Sequence, residues 1–147
     1  MPTRARGLRL PEELEKEIER EMTLRGATFS EVASSLLREA VRMRRVPGVV
    51  FMDGPTGRRA CIAGTGLDVW EVISALKSVG ADRGRLAASY EWLSDRQLSA
   101  ALAYYDIYPQ EIDARIEEED RWTPEKLYGE FPYLRPYNAR PPDERKA

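Results

Sequence analysis

The sequence contains no histidine and a single cysteine among its 147 residues. Without histidine, the chain cannot build the Ser-His-Asp or Cys-His arrangements of nucleophilic catalysis, nor a histidine-based metal site. Cys61 has no second cysteine with which to form an internal disulfide or a Cys-x-x-Cys site. Its neighbours Ala60, Ile62 and Ala63 are small or apolar, which favours a buried structural thiol over a reactive one. We find no convergent acid–base pair, so the sequence predicts neither an enzyme nor a bound cofactor or metal.

Long apolar runs are also lacking, and none approaches the roughly 20 residues that a membrane helix needs. Residues 2–10 are basic and lack a following apolar stretch, so no signal peptide is expected. The charged fraction is high, at 33%, and small domains with so much charge bury limited cores and often oligomerise. We therefore expect a soluble cytoplasmic protein that has no membrane partner.

The net charge of −2 conceals an uneven distribution. Residues 1–46 carry ten basic and eight acidic side chains, whereas residues 47–116 and 117–147 each have an acidic excess of two. The N-terminal arginines cluster at both ends of their segment: Arg4, Arg6 and Arg9, then Arg42, Arg44 and Arg45. Such clusters suit local contacts with phosphate, although a solvated charged surface is the alternative.

A strand and two helices are predicted at the N-terminus. Residues 4–10 alternate between two faces, as a β-strand does. Pro11 opens a helix that Gly26 ends, and Thr28 with Glu31 forms a capping box for the next helix. One strand and two amphipathic helices in about 45 residues cannot bury their own core. Pairing two copies would complete an antiparallel ribbon and a shared four-helix core.

Residues 3–46 resemble the ribbon-helix-helix family of bacterial repressors and antitoxins. The matching pattern is Gly7-Leu8-Arg9-Leu10-Pro11-Glu12, then Gly26-Ala27-Thr28-Phe29-Ser30-Glu31, then Leu36-Leu37-Arg38-Glu39-Ala40. The resemblance implies a dimer, or a higher even-numbered oligomer, whose ribbon enters the major groove of operator DNA. The side chains that would face the bases are those of Ala5, Gly7 and Arg9.

The same resemblance implies a division between base and phosphate contacts. Only Arg9 among the facing residues can make a bidentate contact with guanine, and Arg4 and Arg6 would assist from the strand end. Thr28 and Ser30, at the start of the second helix, would meet a phosphate with free backbone N–H groups. Dimerisation without DNA binding is the alternative for this segment.

A second module is predicted after the helix-breaking pair Pro47-Gly48. Residues 49–52 and 58–62 are predicted strands of a hairpin, and capping residues predict helices that start at Asp68, Asp82 and Ser94. Together they would form a small winged helix-turn-helix-like domain over residues 47–116. The expected core residues are Ile62, Val69, Val72, Ile73, Leu76, Leu86, Tyr90, Leu93, Leu98, Leu102 and Tyr105.

Residues 47–114 resemble the family known as domain of unknown function 433, which recurs in VapB-type antitoxin operons. The matching motifs are Gly64-Thr65-Gly66, Val69-Trp70, Tyr90-Glu91-Trp92-Leu93-Ser94 and Ala100-Ala101-Leu102-Ala103-Tyr104-Tyr105. Two positions depart from the family, which has arginine at Gly66 and proline at Asp68. A phosphate or partner contact of that arginine would here be lost or moved to Arg58 or Arg59.

The third helix of this module would be the recognition helix of a helix-turn-helix. Its expected exposed residues are Asp95, Arg96, Ser99 and Ala103. A single arginine beside an aspartate is poor material for the major groove, so packing or dimerisation is favoured over DNA contacts by Arg96.

The last segment, residues 117–147, combines large apolar side chains with many prolines, which predicts an extended tail rather than a regular helix or strand. Its aromatic content argues against disorder, and such a tail would lie in a groove of its own dimer or of another protein. The expected anchors are Trp122, Leu127, Tyr128, Phe131, Tyr133, Leu134 and Tyr137.

In layout the chain resembles VapB-type antitoxins, whose tails wrap around a PIN-domain, VapC-like ribonuclease toxin. That resemblance implies an arginine inserted among the toxin's metal-binding carboxylates, with Arg135 and Arg140 as candidates and Arg121 as a third. The expectation is thus a mainly α protein that neutralises a toxin and represses its own operon. A stand-alone dimeric repressor, whose tail folds on its own body, is the alternative.

Overall fold

A computed structural model of the chain describes residues 2–136. These residues form two helices, a β-hairpin, five further helices and a final 3-10 turn: α1 (Glu12–Arg25), α2 (Phe29–Arg45), β1 (Val49–Gly54), β2 (Gly57–Ile62), α3 (Val69–Ser78), α4 (Arg83–Ser89), α5 (Asp95–Ile107), α6 (Pro109–Asp120), α7 (Pro124–Glu130) and the turn Pro132–Leu134. The predicted mainly helical class is confirmed. The ribbon-helix-helix and winged helix-turn-helix architectures stay predictions.

The N-terminal helices begin and end where their capping residues predict. Gly26 ends α1 in the left-handed conformation, with φ at 60°, which glycine adopts without steric cost. Thr28 and Glu31 form the complete capping box of α2. Residues 2–11 form no helix or strand. The strand predicted for residues 4–10 would need a second copy to pair with, and a single chain does not supply one.

The hairpin is confirmed and is longer than predicted. β1 and β2 pair antiparallel from Val49 opposite Ile62 to Gly54 opposite Gly57. Only Pro55 and Thr56 remain in the loop, and Gly57 follows them with φ at 114°, a conformation that favours glycine. One end of the hairpin therefore lies in the core while the loop projects from it.

The core lies between the hairpin and the helices α3, α5 and α6. Seven of the predicted core residues are buried: Ile62, Val69, Val72, Ile73, Leu86, Leu93 and Leu98. Four lie partly buried at its edge: Leu76, Tyr90, Leu102 and Tyr105. The expected core set did not include the buried residues Val46, Val49, Ala60, Ala100, Ala101, Tyr104 and Ile112, whereas Cys61 was expected to be buried and is.

Tyr104 is the largest of the missed core residues and is fully buried. Its ring packs edge-on against Phe51, with centroids 6.4 Å apart, and its hydroxyl has hydrogen-bond partners within the fold. A buried tyrosine needs such partners. The helical face of α5 that enters the core is therefore turned toward Tyr104 rather than toward the neighbouring Tyr105.

The predicted module boundaries differ from the boundaries of the helices. Val46 is buried in the central core, so that core begins before residue 47. Helix α6 continues through Asp120, which places residues 117–120 in the same helix as the buried Ile112. We call the hairpin and the helices α3 to α6 the central domain. The last segment thus leaves this domain near Arg121.

The prediction of an extended tail is wrong for residues 124–134. Pro124 occupies the first turn of α7, where a proline removes no hydrogen bond that the helix would make. The Thr123 hydroxyl caps the helix by accepting a bond from the N–H of Lys126 at 3.3 Å. Pro132 likewise starts the 3-10 turn. The prolines here mark the beginnings of short helices, and seven residues between them suffice for two turns.

Candidate nucleic-acid and partner-binding surfaces

The three arginines of the N-terminal arm, defined as residues 2–11, are exposed. Arg4, Arg6 and Arg9 form no ion pair with the residues that the structure describes, and Leu8 on the same arm is 70% exposed. Cationic side chains in this state keep their full donor capacity for phosphate or for base edges.

Helix α2 carries different residues on its two faces. The inward face contacts α1 and the central domain through Val32, which is buried, and through Glu39 and Arg42. Beside the inward face runs an apolar stripe, which consists of Phe29, Ala33, Leu36, Leu37, Ala40 and Val41 at helical spacing. Leu37 and Val41 are each 56% exposed. Within the described chain this stripe is left open to solvent, which is unusual for contiguous large apolar side chains.

Arg42 joins α2 to the central domain through a partly buried cluster. Its Nη1 donates to the Tyr104 hydroxyl at 2.9 Å and to Glu111 Oε2 at 2.6 Å. The Tyr104 hydroxyl in turn donates to Glu111 Oε2 at 2.9 Å, and the guanidinium carbon of Arg42 lies 4.2 Å from the ring centroid of Tyr108. Burial, followed by the charge of Glu111, raises the pKa of Tyr104. Arg42 thus links α2 to the central domain.

Arg58 makes a second link between α2 and the hairpin. Its Nε and Nη2 donate to the two carboxylate oxygens of Glu39 at 2.7 and 2.9 Å, a bidentate geometry that is among the strongest for this pair. Arg58 Nη2 also donates to the Phe51 carbonyl at 3.1 Å. Nearby, Arg25 of α1 donates to Asp53 of β1 at 3.1 Å. The predicted DNA contact Arg58 therefore has carboxylate partners inside the chain.

Arg59 is held by a buried carboxylate. Its Nη1 donates to Asp68 Oδ1, and Asp68 is only 6% exposed. Asp68 also accepts from the Trp70 indole at 3.1 Å and from the Cys61 thiol at 3.2 Å. An aspartate at the position where proline was expected from the family pattern thus organises the exit of β2. Arg59 is consequently poorly placed for the phosphate contact that the family resemblance led us to expect.

Cys61 lies fully buried beside Asp68. Burial, with a smaller effect of the Asp68 hydrogen bond, raises the pKa of the thiol to about 11. Because the thiolate is the nucleophilic form, this cysteine stays protonated and unreactive at neutral pH. The prediction of a buried thiol is confirmed.

The N-terminus of α2, predicted to meet a phosphate, already holds a carboxylate. The Thr28 N–H donates to Glu31 Oε2 at 2.9 Å, and the Glu31 N–H donates to the Thr28 hydroxyl at 3.2 Å. The hydrogen bonds from Thr28 lower the pKa of Glu31, so its negative charge persists at neutral pH. Thr28 is therefore engaged, whereas Ser30 is exposed and available.

Helix α5 is a core helix and presents little surface for a DNA groove. Leu98, Ala101 and Tyr104 face the interior. On its outer side, Arg83 of α4 donates to Asp95 at 2.8 Å and to Ser99 at 2.7 Å. Arg96 is exposed but stands beside Asp95. This arrangement favours the packing role over direct reading of bases.

The aromatic residues after Arg121 pack mainly against one another. Phe131 lies between Trp122 and Tyr133, with ring centroids 6.2 and 6.0 Å away. Tyr133 is nevertheless 72% exposed and Trp122 46%, and Leu134 is also exposed. We call Trp122, Phe131 and Tyr133 the tail aromatic cluster. Its exposed area is suited to a protein partner, because large aromatics dominate binding energy at interfaces.

The remaining described partner candidates of this segment are Leu127, Tyr128, Arg135 and Arg121. Leu127 and Tyr128 of α7 are partly buried, and the guanidinium carbon of Arg135 lies 5.7 Å from the Tyr128 ring centroid. Arg121 is 3.9 Å from Glu117 in an exposed ion pair. The candidates Tyr137 and Arg140 lie outside the described residues.

Two further classes of site are absent from residues 2–136. No group of three or more acidic or cysteine side chains there is arranged to hold a metal ion. No helix in that range is long and apolar enough to cross a membrane.

The central domain matches a known family. Residues 52–105 match the model of a family described as protein of unknown function (DUF433), which supports the resemblance seen in the sequence of this domain. The match covers most of the hairpin and the helices α3, α4 and nearly all of α5. No curated protein and no solved structure matches the chain.

Proposed function

We propose that the protein is a cytoplasmic, non-catalytic antitoxin of a type II toxin–antitoxin system. It acts as a dimer that binds operator DNA with its N-terminal arm. Its C-terminal segment binds and inhibits a PIN-domain, VapC-like ribonuclease, and the DNA-bound dimer represses its own operon. The open apolar stripe of α2 carries this proposal, because an N-terminal helix pair that leaves such a surface uncovered calls for a second copy.

The dimer would place two arms side by side. Each arm brings three exposed arginines, Arg4, Arg6 and Arg9, that have no carboxylate partner among the described residues. Two arms joined as an antiparallel ribbon fit the major groove, and Arg9 would read guanine. The central domain stiffens this unit because Arg42 and Arg58 fasten α2 to it.

The C-terminal segment supports a protein partner through its exposed aromatic cluster. Arg135, with Arg121 and Arg140, would supply the cations that compete with metal for the carboxylates of the toxin. Two linked half-sites on DNA would gain affinity when a bound toxin joins two dimers.

The test is a comparison of the full chain with a chain that ends at Asp120. The structure places this cut after α6, so the central core stays intact. From host lysate, the full chain should retain a PIN-domain protein, identified by mass spectrometry, and the shortened chain should lose it while still retarding upstream DNA. Retention of no PIN-domain protein by the full chain contradicts the antitoxin proposal.

A stand-alone dimeric repressor is the second candidate. The internal packing of Trp122, Phe131 and Tyr133 favours it, because a segment that folds by itself has less need of a partner. This candidate predicts that residues 121–136 resist limited proteolysis in the isolated protein and that both chain lengths bind DNA equally.

A further inference from the structure

The arginines of α2 divide into one that is engaged and three that are not. Arg42 is bonded to Glu111 and Tyr104. Arg38, Arg44 and Arg45 are exposed and form no ion pair with the described residues. Arg45 only approaches the Tyr108 ring, at 5.7 Å, and such stacking leaves the guanidinium donors available. The second half of α2 therefore carries cationic groups whose charge nothing in the described chain neutralises.

Arg38 stands at the junction of two shallow depressions along α2. The first is lined by Ser30, Glu31, Ser34, Ser35 and Arg38. The second shares Ser35 and Arg38 and continues to the Arg42–Glu111 cluster and to Arg58. Ser30, Ser34 and Arg38 follow one another at intervals of one helical turn, or about 6 Å. We call Ser30, Ser34, Ser35 and Arg38 the polar stripe.

We propose that the polar stripe binds phosphates of the DNA backbone, with Arg38 as its cationic residue. Small hydroxyl donors beside an uncompensated arginine match the acceptor oxygens and the charge of a phosphate diester. The stripe reads no base, so it adds affinity and orientation rather than sequence preference. This inference rests on the proposed DNA binding and names a contact surface for it that lies outside the arm.

The charges around the stripe determine where along α2 the phosphate is bound. Glu39 and Glu111 line the second depression, but their charges are neutralised by Arg58 and Arg42. Glu31 is the one lining carboxylate of the first depression, and Thr28 holds it at the start of the helix. Its charge disfavours a phosphate at the first turn. The phosphate is therefore bound one to two turns farther on, at Ser34, Ser35 and Arg38.

The experiment measures binding of the full chain to a short fluorescent DNA duplex between about 50 and 200 mM salt, the range in which phosphate contacts weaken markedly. Arg38→Gln should lower the affinity at every salt concentration and reduce the slope of log K against log salt by about 0.9, one phosphate contact. Arg38→Lys should retain the slope. Ser34→Ala with Ser35→Ala should weaken binding with an unchanged slope, because neutral donors release no counterion.

Arg85→Gln is the matched control, since Arg85 is also exposed and forms no ion pair with the described residues but lies on α4. It should change neither affinity nor slope. Circular dichroism melting of each variant verifies the fold. If Arg38→Gln keeps the wild-type slope of log K against log salt while Arg9→Gln reduces it, the polar stripe does not bind phosphate, but DNA binding by the arm is still supported. Absence of duplex binding by the wild type overturns both proposals.

Discussion

The central domain covers its apolar side chains, whereas the N-terminal helix pair leaves many of its own exposed. Ile62, Ile73 and Tyr104 have almost no exposed surface, yet in α1 and α2 only Ile18 and Val32 are buried. Exposed large apolar residues are concentrated in the helix pair and arm: Leu8, Leu14, Leu24, Phe29, Leu36, Leu37, Val41 and Met43. Two buried side chains do not sustain a folded unit. The helix pair is therefore the part of the molecule that needs another surface.

Arginines differ between the two regions in a related way. Arg58, Arg59 and Arg115 of the central domain all bond carboxylates within the fold. Those of the arm, and three of the four on the second half of α2, have no such partner among the described residues. A paired arginine contributes to the fold, while an unpaired one keeps its donors for a ligand. Arg85 and Arg96 of the central domain also have no ion pair among the described residues, so pairing identifies arginines that hold the fold together but does not by itself mark a binding surface.

Alanine substitutions in the two regions should differ most in the free energy of unfolding that they cost. Ile73→Ala removes a fully buried side chain and should lower the free energy of unfolding by about 2–5 kcal/mol. Leu37→Ala, at a half-exposed position, should cost far less in a dilute sample where single chains predominate. Urea titrations of both variants at low protein concentration measure the contrast. Equal losses would mean that the stripe is already covered within the chain.

Charged substitutions on the apolar stripe test the same contrast through the oligomeric state of the protein. Leu37→Asp with Val41→Asp should dissociate the proposed dimer at micromolar concentration, because buried unpaired carboxylates oppose association. Leu24→Asp is the control, since Leu24 is even more exposed, at 74%, but lies on α1 and is not part of the apolar stripe. Sedimentation velocity distinguishes the two results. A dimer that survives the double substitution would place the interface elsewhere.

Two ion pairs attach α6 to other helices, and their removal should have a smaller effect on stability. Arg42 of α2 pairs with Glu111, and Lys77 of α3 pairs with Asp113. Arg42→Met leaves Glu111 without its cation and Tyr104 with one partner fewer, and should cost about 1.5–3 kcal/mol, as charged hydrogen bonds do. Lys77→Met breaks the pair with Asp113, whose side chains are 47% and 48% exposed, and should cost less than about 1 kcal/mol. Thermal unfolding measures both. A larger loss for Lys77→Met would show that α6 is held chiefly by α3.

Much of the local structure was predictable because its causes lie within four residues along the chain. The capping boxes at Thr28, Asp68 and Ser94, and the glycine that ends α1, set the helix boundaries found in the structure. The arginine partners were not predictable, because Arg42 and Glu111 are 69 positions apart. No local pattern distinguishes Arg42, which is engaged, from Arg45, which is not.

The tail shows a different limit of prediction. Prolines were interpreted there as breaks in structure, although Pro124 and Pro132 each stand at the first position of a helical turn. The polar stripe was missed for a third reason. Its residues are ordinary for an exposed helix face, and Arg38 became a candidate only once the carboxylates around it were seen to be paired with other residues. The spacing of Ser30, Ser34 and Arg38 puts them on one face of the helix but does not identify the partners of the neighbouring carboxylates.

The smallest expected effect concerns the start of α2, where the capping box of Thr28 and Glu31 satisfies backbone N–H groups within the chain. The hydrogen bonds of Thr28 lower the pKa of Glu31, so the carboxylate is ionised more readily in the folded chain than in the unfolded one. Its stabilising contribution is fully present above the ordinary glutamate pKa of about 4.3 and disappears as the pH falls through the lower, folded value.

The Glu31→Gln variant should therefore melt at a lower temperature than the wild type at neutral pH, and the two melting temperatures should converge under acidic conditions. Glu13→Gln, an exposed position on α1, should show no such convergence. Melting curves of the three proteins from neutral to acidic pH measure this, and a difference that stays constant with pH would mean that the charge of Glu31 contributes nothing to the cap.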